Sequence, residues 1–151
     1  MPTIRLHTHI NASVERCFDL ARDVEVHCRT AAFTGERVLP PGRTEGLLEF
    51  SDEVIFEAVH LGIRQRLTAR ITELEPPRRF VDEMVRGPFR RLRHVHTFTA
   101  DGGATLMEDV IQWEAPLGPL GRLADVLFLE RHLRWFLTTK QALLKQLAEQ
   151  E

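Results

Sequence analysis

The sequence is short of cysteine, of charge imbalance and of long apolar runs, and each shortage removes a class of protein. Only Cys17 and Cys28 occur among 151 residues, too few for a disulfide framework. A chain of this length can bury a core without staples or a structural metal. The richest apolar stretch, Ala124 to Leu137, is interrupted by Asp125, Glu130, Arg131, His132 and Arg134, and falls short of the roughly 20 apolar residues of a membrane span. The first nine residues, Met1 to His9, contain no apolar signal core, so a reducing cytoplasm is the expected location. A formal net charge of -2 gives no global reason to expect nucleic acid. Neither an internal repeat nor a low-complexity linker divides the chain, which is expected to form a single domain over residues 1–151.

What is present is strand periodicity followed by one long helix. Thr3 to Ile10 alternates, with Ile4, Leu6, Thr8 and Ile10 on one face and Arg5, His7 and His9 on the other, the period of a half-buried strand. Asn11-Ala12-Ser13 caps a short helix in which Val14, Cys17, Phe18 and Ala21 recur at helical spacing. Val24 to Arg37 reads as a second short helix leading into a strand around Phe33 to Leu39. Five strand-like runs follow, Val54–His60, Ile63–Leu74, Phe80–Arg86, Phe89–Thr99 and Ala104–Glu114. Their connections are too short for the crossovers of parallel strands, so the runs form an antiparallel meander. Arg122 to Glu149 has no Gly or Pro and reads as one helix. Leu123, Ala124, Leu127, Phe128, Phe136, Leu143, Leu144 and Leu147 form its apolar stripe, and Leu129, Leu133 and Leu137 are a surplus that could close a pocket or a dimer contact.

Register shows which side chains meet. A tight turn at Gly87-Pro88 sets Glu83 opposite Leu92 and Val81 opposite His94, and a turn over Ala100 to Gly103 sets His94 opposite Asp109 and His96 opposite Met107. One face then carries Val81, Glu83, Val85, Leu92, His94, His96, Phe98, Met107, Asp109, Ile111 and Trp113, and is expected to point inward; Asp82 falls on the other. The Leu61-Gly62 turn pairs Phe56 with Leu67, Ala58 with Gln65 and His60 with Ile63, leaving Glu57 and Arg66 outside as a charge pair. An even continuation across Pro76-Pro77 would bring Arg70 inward opposite Glu83, so an odd loop or a bulge is expected there.

Glu83, His94, His96 and Asp109 thus sit on a mostly apolar face, with Gln65 and His60 nearby, and buried carboxylates are costly unless satisfied. Three readings stay open. The groups satisfy one another with water; they orient a mostly apolar ligand in a pocket; or His94, poised by Asp109, is a general base with Glu83 or His96 as its partner acid. The histidines at i and i+2 face the same way, but no established metal-ligand spacing occurs, so neither metal nor cofactor is expected. His7 and His9 read as a solvated pair. The basic group Arg86, Arg90, Arg91 and Arg93 reads as a solvated sheet face neutralised by Asp82, Glu108 and Glu114, with no stacking platform for nucleic acid.

The stretch Phe80-Val-Asp-Glu-Met-Val-Arg-Gly-Pro-Phe89, continued by His94-Val-His96-Thr-Phe98 and Pro116-Leu-Gly-Pro-Leu-Gly121, resembles the ligand-binding branch of the SRPBCC, or START-like, superfamily. The resemblance covers essentially the whole chain. It implies an α+β helix-grip fold: a curved antiparallel sheet of about six to seven strands, two short helices, and a long C-terminal helix packed across the sheet around a cavity. It also implies a cavity for lipids, polyketides or other hydrophobic molecules, with cyclisation or dehydration in some branches, and it carries over no catalytic motif residue by residue. The expected function is therefore binding of a hydrophobic small molecule as carrier, sensor or sequestering protein. Phe56, Gln65, Leu67, Phe98, Met107, Ile111 and Trp113 would hold it, and Glu83, His94, His96 and Asp109 would orient it. The alternatives are a cofactor-independent cyclase, dehydratase or hydrolase using His94, Asp109 and Glu83, and an interaction module that forms a homodimer through the long helix.

Overall fold

A computed structural model describes residues 1–150. Seven strands, β1 (Thr3–Ile10), β2 (Arg37–Leu39), β3 (Glu53–His60), β4 (Ile63–Glu75), β5 (Arg79–Arg86), β6 (Arg91–Asp101) and β7 (Ala104–Glu114), form one antiparallel sheet. Its order is β1-β7-β6-β5-β4-β3-β2, a meander with the first strand laid against the last. Two short helices, α1 (Val14–Ala21) and α2 (Val24–Thr30), connect β1 to β2. The Ser13 hydroxyl accepts from the Arg16 amide at the start of α1, and Asp23 accepts from the Glu25 and Val26 amides at the start of α2. The strand expected from Phe33 shrinks to Arg37–Leu39, because Ala32-Phe33-Thr34 curl into a 3-10 turn ending on Gly35 in the left-handed region.

The C-terminal helix runs as α3 (Gly118–Ala124), a π turn (Asp125–Leu129) and α4 (Glu130–Glu149). It starts earlier than Arg122 because Pro119 is tolerated in a first helical turn. Gly121 is required there: a Cβ would lie 2.0 Å from the Pro116 carbonyl oxygen. The π turn places Asp125 inward, where its carboxylate accepts the Trp113 indole N–H at 2.7 Å. Leu123, Leu127 and Phe128, expected in the core stripe, are instead exposed on this first part of the helix. The insertion of a π turn advances the helical phase, so spacing counted across it misplaces the apolar face.

The β3–β4 pairing is the expected one, with Phe56 opposite Leu67, Glu57 opposite Arg66 and Ala58 opposite Gln65. Between β6 and β7 the faces are as expected but the pairs move by two residues, bringing His96 opposite Asp109 and Phe98 opposite Met107. Gly102 and Gly103, at φ 55 and 88, form a two-residue turn that tightens the hairpin. Between β5 and β6 the shift is odd: Phe80 opposes His96, Asp82 opposes His94 and Glu83 opposes Arg93. An odd slip turns every side chain over. Asp82 and Phe80 therefore take the inward positions expected for Glu83 and Val81, and Glu83 points outward with Arg93 3.8 Å away. Pairing with β6 stops at Glu83–Arg93 while Met84 and Arg86 still pair with β4, so the two strands part earlier than a tight Gly87-Pro88 turn allows. The bulge expected between β4 and β5 lies at Thr72, and Arg70 does oppose Glu83, with Ala69 and Ile71 buried on the inner side.

Two apolar clusters join the sheet to the helices. In the larger, Phe18 of α1 meets Phe80 and Phe98 edge-on with centroids 5.6 and 5.4 Å away, beside Ile10, Met107 and Leu144. The smaller joins Ile4, Ile111 and Trp113 to Leu137 of α4. The inner face between them is not filled.

Candidate functional site

A cavity of about 180 Å³ lies between the sheet and α4. Its apolar wall comes from Val54, Phe56, Ala58, Leu67, Ala69 and Ile71 on β3 and β4, from Leu92 and Ile111, and from Leu129, Leu133, Phe136 and Leu137 on the helix. Alternation on the strands and the helical repeat on α4 put these residues on facing surfaces. The polar lining is concentrated in two places.

The first is on β5, β6 and β7, and its groups form a chain. His96 Nε2 is 2.8 Å from Asp82 Oδ2, and His96 Nδ1 is 3.0 Å from Asp109 Oδ1. His94 Nε2 is 2.9 Å from the same Asp109 oxygen. The rings stack, with Phe80 4.1 Å from His96 and His96 3.8 Å from His94 between centroids. Burial opposes charge on His96, but the hydrogen-bonded carboxylates of Asp109 and Asp82 outweigh it and raise its pKa to about 9. His96 is thus an imidazolium that donates from Nε2 to Asp82 and faces Asp109 through Nδ1 as an ion pair. Burial also opposes ionisation of both aspartates, and their histidine hydrogen bonds overcome it and hold both below the ordinary value. His94 goes the other way: burial, reinforced by the charge on His96, pushes it below 6.5 and keeps it neutral at pH 7. Its Nε2–H donates to Asp109.

Beside this chain stand groups from the helices and the loop before β2. His27 of α2 stacks on Phe56 at 4.3 Å and lies 2.9 Å from Glu36, without the alignment of a hydrogen bond. Burial and then the charge of Lys140 lower its pKa. Lys140 of α4 is only 7% exposed, yet it lines the cavity. Burial lowers its pKa, and Glu36, Asp109 and Asp82 attract it across space without a hydrogen bond. The second polar place is two turns back along α4, about 12 Å at helical rise. There His132 Nε2 and His60 Nδ1 are 2.9 Å apart, one donating and the other accepting, with Gln65 on the neighbouring strand. Burial keeps both rings below their ordinary pKa, with the His132 ring adding to the effect on His60.

Of the residues expected to bind, Phe56, Gln65, Leu67, His94, His96 and Ile111 line the cavity. Asp109 is 1% exposed beneath the two histidines and acts through them. Phe98 and Met107 are packed in the larger core cluster and Trp113 in the smaller, so they support the wall from behind. Glu83 is on the opposite face of the sheet, for the register reason given above, and Asp82 stands in its place. Sequence reasoning also passed over His27, Glu36 and Lys140. The last had a signal: Leu133, Leu137, Lys140 and Leu144 follow one another at steps of four, three and four along the apolar stripe.

Asp82, His94 and His96 each offer a donor atom, all within 4.8 Å of one another. The histidine rings are stacked only 25° from parallel, so their in-plane lone pairs run side by side instead of converging. A shared metal would lie well out of both ring planes until a ring turned, and the arrangement fits a hydrogen-bonded chain better than an ion site.

The profile of a family described as polyketide cyclase, dehydrase and lipid transport matches residues 1–149. Among solved structures, TTHA0849 from Thermus thermophilus is 20% identical with a TM-score of 0.78, over 96% of this chain and 95% of that one. The ZhuI aromatase/cyclase from a Streptomyces species is 13% identical with a TM-score of 0.78, over 98% and 93%. A START superfamily protein from Mycobacterium smegmatis is 12% identical with a TM-score of 0.74, over 97% of each chain. No curated protein matches by sequence. At these identities the structural likeness is one of fold: the α+β helix-grip arrangement of sheet, two short helices and long C-terminal helix. No helix among the described residues is long and apolar enough to cross a membrane.

Proposed function

The chain belongs to the polyketide cyclase, dehydrase and lipid-transport family, and from that premise we propose that it binds one hydrophobic small molecule between sheet and helix, as a cytoplasmic carrier, sensor or sequestering protein. The observation that supports this most is the contrast within one cavity. Phe56, Leu67, Ile111, Leu133 and Phe136 offer apolar contact, and Asp82, His94 and His96 stand together at one place on the wall. The apolar contacts supply affinity and the polar groups fix which way round the ligand lies. Glu83, on the far face, takes no part. Native mass spectrometry of the protein as purified is expected to show a retained small molecule, or, after stripping, saturable binding of a fluorescent apolar probe. A protein that binds no probe and holds no molecule would overturn the reading.

One observation favours a second reading, that the cavity also catalyses. His94 is a neutral imidazole oriented by a buried carboxylate and opens onto the cavity, which is what a general base needs. His96 is protonated, but both its ring nitrogens face carboxylates, so under this reading it supplies positive charge beside His94, and serving as the partner acid would require it to release Asp82. His94→Ala should then abolish turnover while binding changes little; loss of binding alone favours the carrier. A self-association reading rests on the exposed Leu120, Leu123, Val126 and Leu127 of the helix. Light scattering that finds only monomer at high concentration removes it.

A further inference from the structure

Lys140 is the cation in the cavity whose donors nothing else claims. It projects from the middle of α4, is 7% exposed, and has its place in the lining beside Asp82, His94 and His96. An ammonium removed from water costs several kcal/mol unless its N–H groups are met. Here the nearby acids are committed elsewhere. Asp82 and Asp109 hold His96, Asp109 also accepts from His94, and Glu36 Oε2 faces His27 Nε2 at 2.9 Å as an ion-pair contact, not a hydrogen bond. All three attract Lys140 through space, but none is hydrogen-bonded to it.

The acceptors and donors are distributed unevenly. The buried carboxylate oxygens left without a partner, Glu36 Oε2 and Asp109 Oδ2, are sealed from the cavity. A ligand ammonium entering here would find one unpaired aspartate oxygen, Asp82 Oδ1, on a carboxylate that already faces the charges of His96 and Lys140. A ligand oxygen would find the Lys140 ammonium, with three hydrogens and no protein acceptor. On the neighbouring strands stand Val54, Ala69 and Ile71, the last directly paired with Asp82, and their side chains offer an oxygen nothing. A charge-assisted hydrogen bond in so dry a site is roughly twice as strong as a neutral one.

We infer that Lys140 reads the ligand, and that the molecule taken up is an organic acid: an apolar body carrying one anionic oxygen group, a carboxylate or an enolate, seated on Lys140 beside His94. This rests on the cavity-binding reading and narrows it to a chemical class.

Three naphthalene probes that share one body test it: 2-naphthoate, naphthalene-2-methanol and 2-naphthylmethylamine, titrated calorimetrically into the stripped protein at pH 7. The acid is expected to bind about tenfold tighter than the alcohol, the effect of one charge-assisted hydrogen bond, and the amine weakest. Lys140→Met should abolish the preference for the acid, weakening acid binding about tenfold more than alcohol binding, and Lys140→Arg should keep it. Equal binding of acid and alcohol by the wild type, or an undiminished preference in Lys140→Met, overturns this inference alone. Failure of all three probes to bind overturns the cavity-binding reading with it. If Lys140→Met does not fold, the wild-type ranking decides.

Discussion

Two carboxylates in this protein are almost equally buried and lead opposite lives. Glu57, on the outer face of β3, is 3% exposed, and Asp109, on the inner face of β7, is 1% exposed. Glu57 is covered by three arginines, Arg37, Arg64 and Arg66, whose guanidinium nitrogens lie 2.6, 3.1 and 2.8 Å from it. Those hydrogen bonds, Arg66 and Arg37 foremost, hold its pKa down to about 2. The arginines are themselves mostly in water, and they never lose their charge. Asp109 is held by two histidines that are themselves sealed in, and histidine is the side chain whose charge changes near neutrality. Burial of a carboxylate therefore does not mark a site. A titratable, cavity-facing partner does.

The sharpest way to break this comparison is to remove each acid. Asp109→Ala leaves a buried imidazolium facing Asp82 alone, and should cost about 3–5 kcal/mol in urea denaturation, the usual loss when one member of a buried ion group is deleted. Glu57→Gln should lower the melting temperature far less and leave ligand binding unchanged. If the two variants lose the same stability, the distinction between the regions fails.

The pH response is expected to separate them next. The pKa of His96 is raised from 6.5 in the unfolded chain to about 9 in the folded one, so its stabilisation is complete below pH 6.5 and is lost as pH rises through 9. Over that window the loss amounts to about 1.4 kcal/mol for each pH step of one. The acids have lowered pKa values, so their stabilisation is present above the ordinary carboxylate range and is lost as pH falls below it. Melting temperatures measured from pH 2 to 10 should therefore decline above pH 6.5 in the wild type and flatten there in His96→Asn, while Glu57→Gln alters the pH dependence only on the acid limb, below about pH 4.5. Lys140, whose lowered pKa adds stability as pH rises, is common to both proteins, so a His96→Asn variant with the same pH dependence as the wild type from pH 6.5 to 9 would remove the imidazolium assignment.

Smaller effects come from the helix. Leu144→Ala, in the larger cluster, should cost about 2–5 kcal/mol. Val126→Ser, at 82% exposure on the π turn, should stay within about 0.5 kcal/mol. Thermal melts of the two variants would show whether the first part of the helix contributes as little to stability as its exposure implies.

Much of the fold could be read from residues alone, because side-chain period and turn chemistry are local. The alternation in β1, the turns at Leu61-Gly62 and Gly102-Gly103, and the cap at Ser13 each act within a few residues, and they fix strands, hairpins and the faces of β3, β4, β6 and β7. An even misjudgement in the β6–β7 turn cost nothing in the faces, so His94, His96 and Asp109 were already together on the inward side. Local chemistry thus settles the architecture and three members of the polar chain. The rest depended on tertiary structure. The early parting of β5 from β6, after Glu83, set β5 one residue away, exchanging Glu83 for Asp82, since a period of two turns a single-residue slip into a change of face. The packing of α2 and α4 onto the sheet brought His27, Glu36 and Lys140 to the cavity from distant points of the chain; the helical repeat places Lys140 on the apolar stripe, but only the packed sheet decides that this stripe faces a cavity and which groups of α2 and the loop before β2 meet it there.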